Sequence, residues 1–279
     1  MQIAFFILMF VLGACFGSFL CCQARRLRLK ETKKKPLGRR SVCLHCHYQL
    51  KWYDNIPLIS WLMLKGRCRK CHHKIGLAEF LSELGLGIAF PLIGYGFVTS
   101  VALPPLDQTP LSLQIPYPLA WVLLIITLAF TLILGFLAIY DGLYGELPTL
   151  ALTLSLISAI TVLVFKECAI LTVTPFSFAL IYQPLLSILV LGGVYLVLYL
   201  VSKGHWVGDG DWLLGTAIAI VLGDPWLALI ALFLSNTIAC LIMYPATRLK
   251  KNHQIHFGPF LVIAFVIVYG FAKFFLSVL

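Results

Sequence analysis

Eleven acidic side chains in 279 residues are few enough to weigh one by one. Two of them, Asp141 and Asp211, stand where long apolar stretches meet polar sequence: Asp141 closes one stretch, and Asp211 precedes Trp212 at the start of another. Carboxylates in a bilayer are expensive, costing on the order of 2.5 to 3.5 kcal/mol at its centre, and those retained there or at its edge usually serve function or pairing. If these two meet, they can hold one water and share one proton, because adjacent carboxylates do not both ionise readily. One then takes a proton from water while the other, protonated, polarises a peptide carbonyl, which is the chemistry of an aspartyl protease. Gly208-Asp209-Gly210-Asp211 fits the pattern G-x-G-D, whose glycines permit close backbone approach. The same two acids also read as helix-end caps, with Asp211 at the favoured N-terminal end of a helix. Spacing leaves both readings open.

The remaining acids suggest simpler roles. Asp54, within Tyr53-Asp54-Asn55-Ile56-Pro57, reads as a turn or cap residue, and Asp224 before Pro225 as a turn. Glu31, Asp107 and Glu167 fall in loops, and Glu146 lies near a membrane edge. Glu79 and Glu83, four apart on one helix face, either sit at the interface or pair with nearby bases.

A second constellation is Cys43-x2-Cys46-x21-Cys68-x2-Cys71, close to the spacing of a zinc ribbon in which two knuckles give four thiolates to one tetrahedral ion. Two disulfides would be the competing use. The charge pattern places this loop in a reducing cytoplasm, where stable disulfides are rare, and so favours zinc. His45, His47, His72 and His73 crowd the knuckles, but four cysteines already complete the set and leave no position for a catalytic water. The metal is therefore expected to be structural, in a loop with too few large apolar residues to fold on its own core. Cys15, Cys21, Cys22, Cys168 and Cys240 lie in or beside apolar stretches and read as small buried hydrophobes.

The elements that must position these groups are membrane helices. With 61% apolar and 11% charged residues, the chain departs far from a soluble domain, which is about 45 to 50% apolar and 25% charged. Apolar stretches near Ile3 to Cys22, Leu84 to Leu106, Tyr117 to Tyr140, Leu147 to Phe165, Pro184 to Val201, Trp226 to Tyr244 and Pro259 to Leu279 approach or exceed the roughly 20 residues of a spanning helix. Trp212 to Gly223 has 12 residues before Asp224-Pro225 and is either a short tilted span or a re-entrant half-helix. The expected fold class is an all-α polytopic membrane protein of about eight transmembrane helices, with a small cytoplasmic zinc-ribbon-like module after the first. The expected divisions are a first transmembrane helix over 1–22, the four-cysteine module over 23–77 and a transmembrane domain over 78–279.

Fifteen of the 21 Lys and Arg residues fall between Arg25 and Lys74, and Lys203, Arg248, Lys250 and Lys251 lie an even number of spans away. The positive-inside rule makes that side cytoplasmic and starts the chain outside. The net charge of +10 then reflects topology and attraction to anionic lipid, and no basic patch with interleaved stacking aromatics points to nucleic acid. Met1-Gln2 lacks the basic start of a cleaved signal, so the first helix is read as retained.

Taken together, these residues resemble a known family, the bacterial prepilin peptidases, also called type IV leader peptidases. The densest similarity runs through Arg40-Ser41-Val42-Cys43 to Cys46, Trp52-Tyr53-Asp54-Asn55-Ile56-Pro57-Leu58-Ile59-Ser60-Trp61-Leu62 and Lys65-Gly66-Arg67-Cys68-Arg69-Lys70-Cys71. Gly17-Ser18-Phe19-Leu20 and Glu79 fit around it; Asp141 with Leu147-Pro148, G-x-G-D, and His256-Phe257-Gly258-Pro259-Phe260 follow in the family's order. The resemblance implies an aspartic endopeptidase of the inner membrane, with Asp141 and Asp211 catalytic and Asp209 a solvated neighbour. It further implies leader removal from type IV prepilins or pseudopilins at the cytoplasmic face, and N-methylation of the new terminus with S-adenosylmethionine. No Gly-rich fingerprint for that cofactor is visible. The chain departs from the family at Cys21-Cys22, Leu44, Ile75-Gly76 and Leu213, where an Asn-Val-like pair, a proline, Tyr-Pro and a lysine are usual. A non-peptidase scaffold or transporter with a zinc-ribbon docking module is the rival; it would place ionisable groups near the bilayer midplane.

Overall fold

The computed structural model describes residues 2–32, 41–43, 45–99, 117–171, 177–204, 207–249 and 256–278. Leu44, Asp107, Lys250 and Lys251 and the basic run through Lys33-Lys34-Lys35-Pro36 lie outside them. Among the described residues every extended element is helical, and the β pairing is limited to two isolated bridges. Packing divides the chain into two compact units, Met1–Pro91 and Leu92–Leu279.

The first unit opens with α1 (Gln2–Glu31), a single helix whose apolar part continues into a basic last turn with Arg28 and Lys30. Cations there complement the negative end of the helix dipole. A 3-10 turn (Trp52–Asn55) and the short α2 (Ile59–Met63) lead to α3 (Leu77–Phe97), which belongs to the first unit as far as Pro91. Gly13 and Gly17, one turn apart on α1, press against α3: a Cβ on either would collide with the carbonyl oxygens of Leu86 and Ser82 respectively. This is the small-xxx-small way of bringing two membrane helices together, where dispersion and close backbone approach replace the hydrophobic effect.

In the second unit α4 (Tyr117–Tyr144) and α5 (Thr149–Leu171) form a hairpin closed by Gly145, whose φ of +69° suits a residue without a side chain. A bent rod follows, α6 (Ala179–Ile188), a π turn (Leu189–Gly193) and α7 (Val194–Ser202). Then come α8 (Asp209–Leu222), α9 (Pro225–Leu249), and α10 (Gly258–Gly270) bent by 72° from α11 (Ala272–Val278).

Among the described residues six helices are long and apolar enough to cross a membrane, seven if the bent pair counts as one span. The short stretch after Asp211 is helical, but its 14 residues rise only about 21 Å and cannot cross roughly 30 Å of hydrocarbon alone. Burial explains why it need not: ten of the 14 are buried against α5, α6, the π turn, α7 and α10. Small residues allow this. Gly192 in the π turn lies where any side chain would strike Thr216, and the Ser187 hydroxyl donates to the Ala219 carbonyl at 2.8 Å. Asp224 Oδ1 accepts the amides of Trp226 and Leu227 at 2.8 and 3.2 Å and so caps α9. Outward faces carry Leu150, Ile157, Leu185 and Phe233, all largely exposed, as a lipid-facing surface requires.

Candidate functional site

The four cysteines meet. Their Sγ atoms lie within 4.8 Å of one another, with Cys43 to Cys71 and Cys46 to Cys68 both at 3.9 Å. A disulfide needs about 2.05 Å between sulfurs. A tetrahedral tetrathiolate ion with metal–sulfur bonds of about 2.3 Å sets its ligands about 3.8 Å apart, which the four positions match.

Local folding explains the convergence. In the first knuckle Cys43 N donates to Tyr48 O and His47 N to Cys43 O, each at 2.9 Å; in the second, Cys68 N donates to His73 O and His72 N to Cys68 O, again at 2.9 Å. His47 and His72 both turn the chain at φ +54°, and the bridges Val42–Gln49 and Arg67–Lys74 close the two knuckles. Every feature of the first recurs 25 residues later, so the knuckles are one turn used twice. The backbone N–H of Cys71 draws the Cys68 thiol down to about 7, while the Cys71 thiol in the same cluster is pushed up to about 12. Among the described residues no histidine joins the four-sulfur cluster, although the rings of His45 and His73 stack 4.3 Å apart.

The acids of the first unit are structural ties. Asp54 Oδ2 accepts Lys51 N at 3.2 Å, and its Oδ1 holds Arg69 Nε at 2.7 Å, so it caps its turn and binds the second knuckle. Glu79 pairs with Arg25 of α1. Glu83 Oε2 accepts the amide of Leu58 at 2.7 Å, bracing a residue held at φ +62°. Thus Glu79 meets a base at the end of α1, while Glu83 meets a backbone amide of the loop.

In the second unit Asp141 and Asp211 are both buried, at 5% and 7% exposure. Asp211 is the third residue of α8 and accepts Gly208 N on Oδ2 at 3.1 Å, a capping interaction. Asp141 differs: it lies in the last turn of α4, the end where a helix dipole disfavours an acid. Its Oδ2 accepts instead the amide of Gly258, at the start of α10, at 2.9 Å, and its Oδ1 lies 3.9 Å from His256 Nδ1. Each carboxylate therefore faces the positive end of a helix, and among the described hydrogen bonds each is held through one oxygen only. Capping accounts for both contacts. It does not account for the burial of two acids on helices that both pack against α10.

The segment around Gly258 carries more of this site than its sequence suggests. A Cβ on Gly258 would lie 2.8 Å from Asp141 Oδ2, and one on Gly145 would enter the His256 ring. Phe257 packs on Tyr195 with ring centroids 5.4 Å apart, and the Tyr195 hydroxyl is tied to Ser235 and Asn236, each at 3.2 Å. Tyr195 follows the π turn, a feature frequent at functional sites, and nothing in the local sequence announces it.

Residues 11–97 match the family model described as the Bacterial Peptidase A24 N-terminal domain. The resemblance is to the prepilin leader peptidases. A prepilin leader peptidase/N-methyltransferase of Vibrio cholerae is 28% identical over 96% of this chain and 98% of its own. One from Myxococcus xanthus is 37% identical over 50% of this chain and 44% of the relative, and one from Aeromonas hydrophila is 29% identical over 81% and 69%. Over 53 residues, a type 4 prepilin-like proteins leader peptide-processing enzyme of Escherichia coli is 55% identical. No solved structure matches the chain. The prepilin peptidase resemblance thus extends from the four-cysteine unit through the helices that carry Asp141 and Asp211.

Proposed function

We propose that this protein is an inner-membrane aspartic endopeptidase that removes the leader from type IV prepilins or pseudopilins at the cytoplasmic face. In this reading it also N-methylates the new terminus. The general activity is the one for which its relatives are named. The observation that carries the aspartic mechanism is the burial of Asp141 and Asp211 at the ends of α4 and α8, two helices that both pack against α10. Of a water held between them, one carboxylate takes a proton as the oxygen attacks the scissile carbonyl; the other, protonated, donates a hydrogen bond to the carbonyl oxygen. The amides of Gly208 and Gly258 hold the two side chains so that little reorganisation is needed. Sidedness rests on the basic residues between Arg25 and Lys74.

Cys43, Cys46, Cys68 and Cys71 would hold one zinc ion, which would supply a fold to a module with little core of its own and no open coordination position. The test is co-expression with a prepilin, reading leader removal by gel shift and the terminal methyl group by mass spectrometry. Asp141→Asn and Asp211→Asn are expected to abolish cleavage while inserting normally. Wild-type processing by either variant would exclude the dyad.

A further inference from the structure

The short helix α2 has two unlike faces. Trp61 turns inward: its ring meets that of Phe80 in the first turn of α3 at 4.7 Å, and a Cβ on Gly66 would stand 2.8 Å from it. The amide of Leu58, just before α2, donates to Glu83 of α3 at 2.7 Å, so α2 is tied to α3 at two points. Successive residues of a helix turn by about 100°, which sets Leu62, Ile59 and Met63 on the side away from Trp61. All three are left between 55% and 77% exposed, and Trp52 in the adjoining 3-10 turn is 80% exposed. The helix α3 is long and apolar enough to span, and its outward side chains begin at once with Leu77 and Leu81, both exposed. Phe80 stands only about 5 Å into α3, so its contact with Trp61 sets α2 at the depth where α3 leaves water for lipid.

The charge around this face has one sign. Residues 41–76 carry six Lys and Arg side chains, all exposed, against a single acid, the buried Asp54. Among the described residues only Arg69 of the six has an acid partner, and that partner is Asp54. Lys65 and Arg67 follow α2 directly, their amides bonded to the carbonyls of Leu62 and Leu64. Arg67 stands opposite Lys74 across the bridge that closes the second knuckle, and like charges so placed repel unless an anion meets them. An exposed apolar face at the lipid boundary, with an exposed tryptophan and cations beside it, is the composition of a helix lying in the surface of an anionic leaflet.

We propose that α2 and the second knuckle form a membrane-docking surface. Ile59, Leu62 and Met63 enter the acyl boundary of an anionic phospholipid leaflet, and Lys65, Arg67 and Lys74 meet its phosphates. The four-cysteine module then lies against the bilayer instead of projecting into water. This assignment needs α3 to span, and it uses neither Asp141, Asp211 nor methyl transfer, so it stands apart from the peptidase reading.

The full chain is placed in phosphatidylcholine nanodiscs with and without phosphatidylglycerol, some of the lipid carrying a diazirine in its acyl chain, and metal content is measured on the same samples. Ultraviolet light is expected to put label within 59–63 as well as on α3. The amides of 59–75 are expected to exchange with deuterium about tenfold more slowly when phosphatidylglycerol is present. Leu62→Ser combined with Met63→Ser should lose the label in α2. Lys65→Gln, Arg67→Gln and Lys74→Gln together should lose the response to phosphatidylglycerol, with metal retained. Should a variant lose its metal, the label and exchange of the wild type decide alone. Label on α3 with none in 59–63, or exchange indifferent to phosphatidylglycerol, overturns the assignment. So does protection that appears only when two copies share a disc or when a prepilin is added, since the face would then belong to a protein.

Discussion

Gly258→Ala tests the catalytic reading without touching either acid. The added methyl would stand 2.8 Å from Asp141 Oδ2 and 3.4 Å from its Cβ and Cγ. To reach 3.4 Å, the lower edge of ordinary contact, the carboxylate oxygen must retreat by about 0.6 Å, which stretches the 2.9 Å bond from the Gly258 amide. A hydrogen bond to a charged group contributes about 1.5 to 3 kcal/mol, and a shift approaching 1 Å at a reacting group can cost about a hundredfold. If that loss falls on the transition state, kcat for leader cleavage drops between about tenfold and 150-fold. Stability should hold, because Gly258 does not have a left-handed backbone and alanine favours the helix it opens. Gly142→Ala is the matched control: its methyl would meet only Pro259 at 3.7 Å. The assay is cleavage of a purified prepilin over time in nanodiscs, with thermal unfolding on the same samples. Cleavage by Gly258→Ala at the wild-type rate would refute the claim that this amide and the Asp141 carboxylate act together.

Three further outcomes are expected. Metal analysis of the purified chain should find one zinc per chain, falling well below one in Cys68→Ser, and the module between the knuckles should become sensitive to limited proteolysis. Gly17→Leu should prevent α1 from reaching α3 and sharply lower the yield of folded protein, whereas Gly85→Ala, which meets nothing within 4 Å, should not. Gly223→Ala should cost about 1 to 2 kcal/mol by thermal or denaturant unfolding, since it places a side chain at φ +67° and against Lys166 Nζ, which donates to the last carbonyl of α8 at 3.4 Å.

What the sequence determined is local. Run length alone shows the apolar helices, because hydrocarbon of fixed thickness demands a fixed number of residues. Cys-x2-Cys shows the knuckles, because the turn that aims two thiolates at one ion closes within six residues, from Cys43 to Tyr48 and again from Cys68 to His73. Asp54 reads as a turn or cap residue and Asp224 as a turn because the backbone amides they accept lie within three residues. What only the tertiary structure decided is distant along the chain. Asp141 and Gly258 are 117 positions apart, and neither residue type foretells the other. Nor does periodicity show that α8, too short for the bilayer, is sheltered by its neighbours, or that Arg25, Trp61 and Glu79 share one cavity. Such contacts are set by which helix faces pack together, and in a chain apolar on nearly every face no hydrophobic stripe marks those faces; the small residues at Gly17, Gly192 and Gly258 do so only once the opposing backbone or side chain is seen against them.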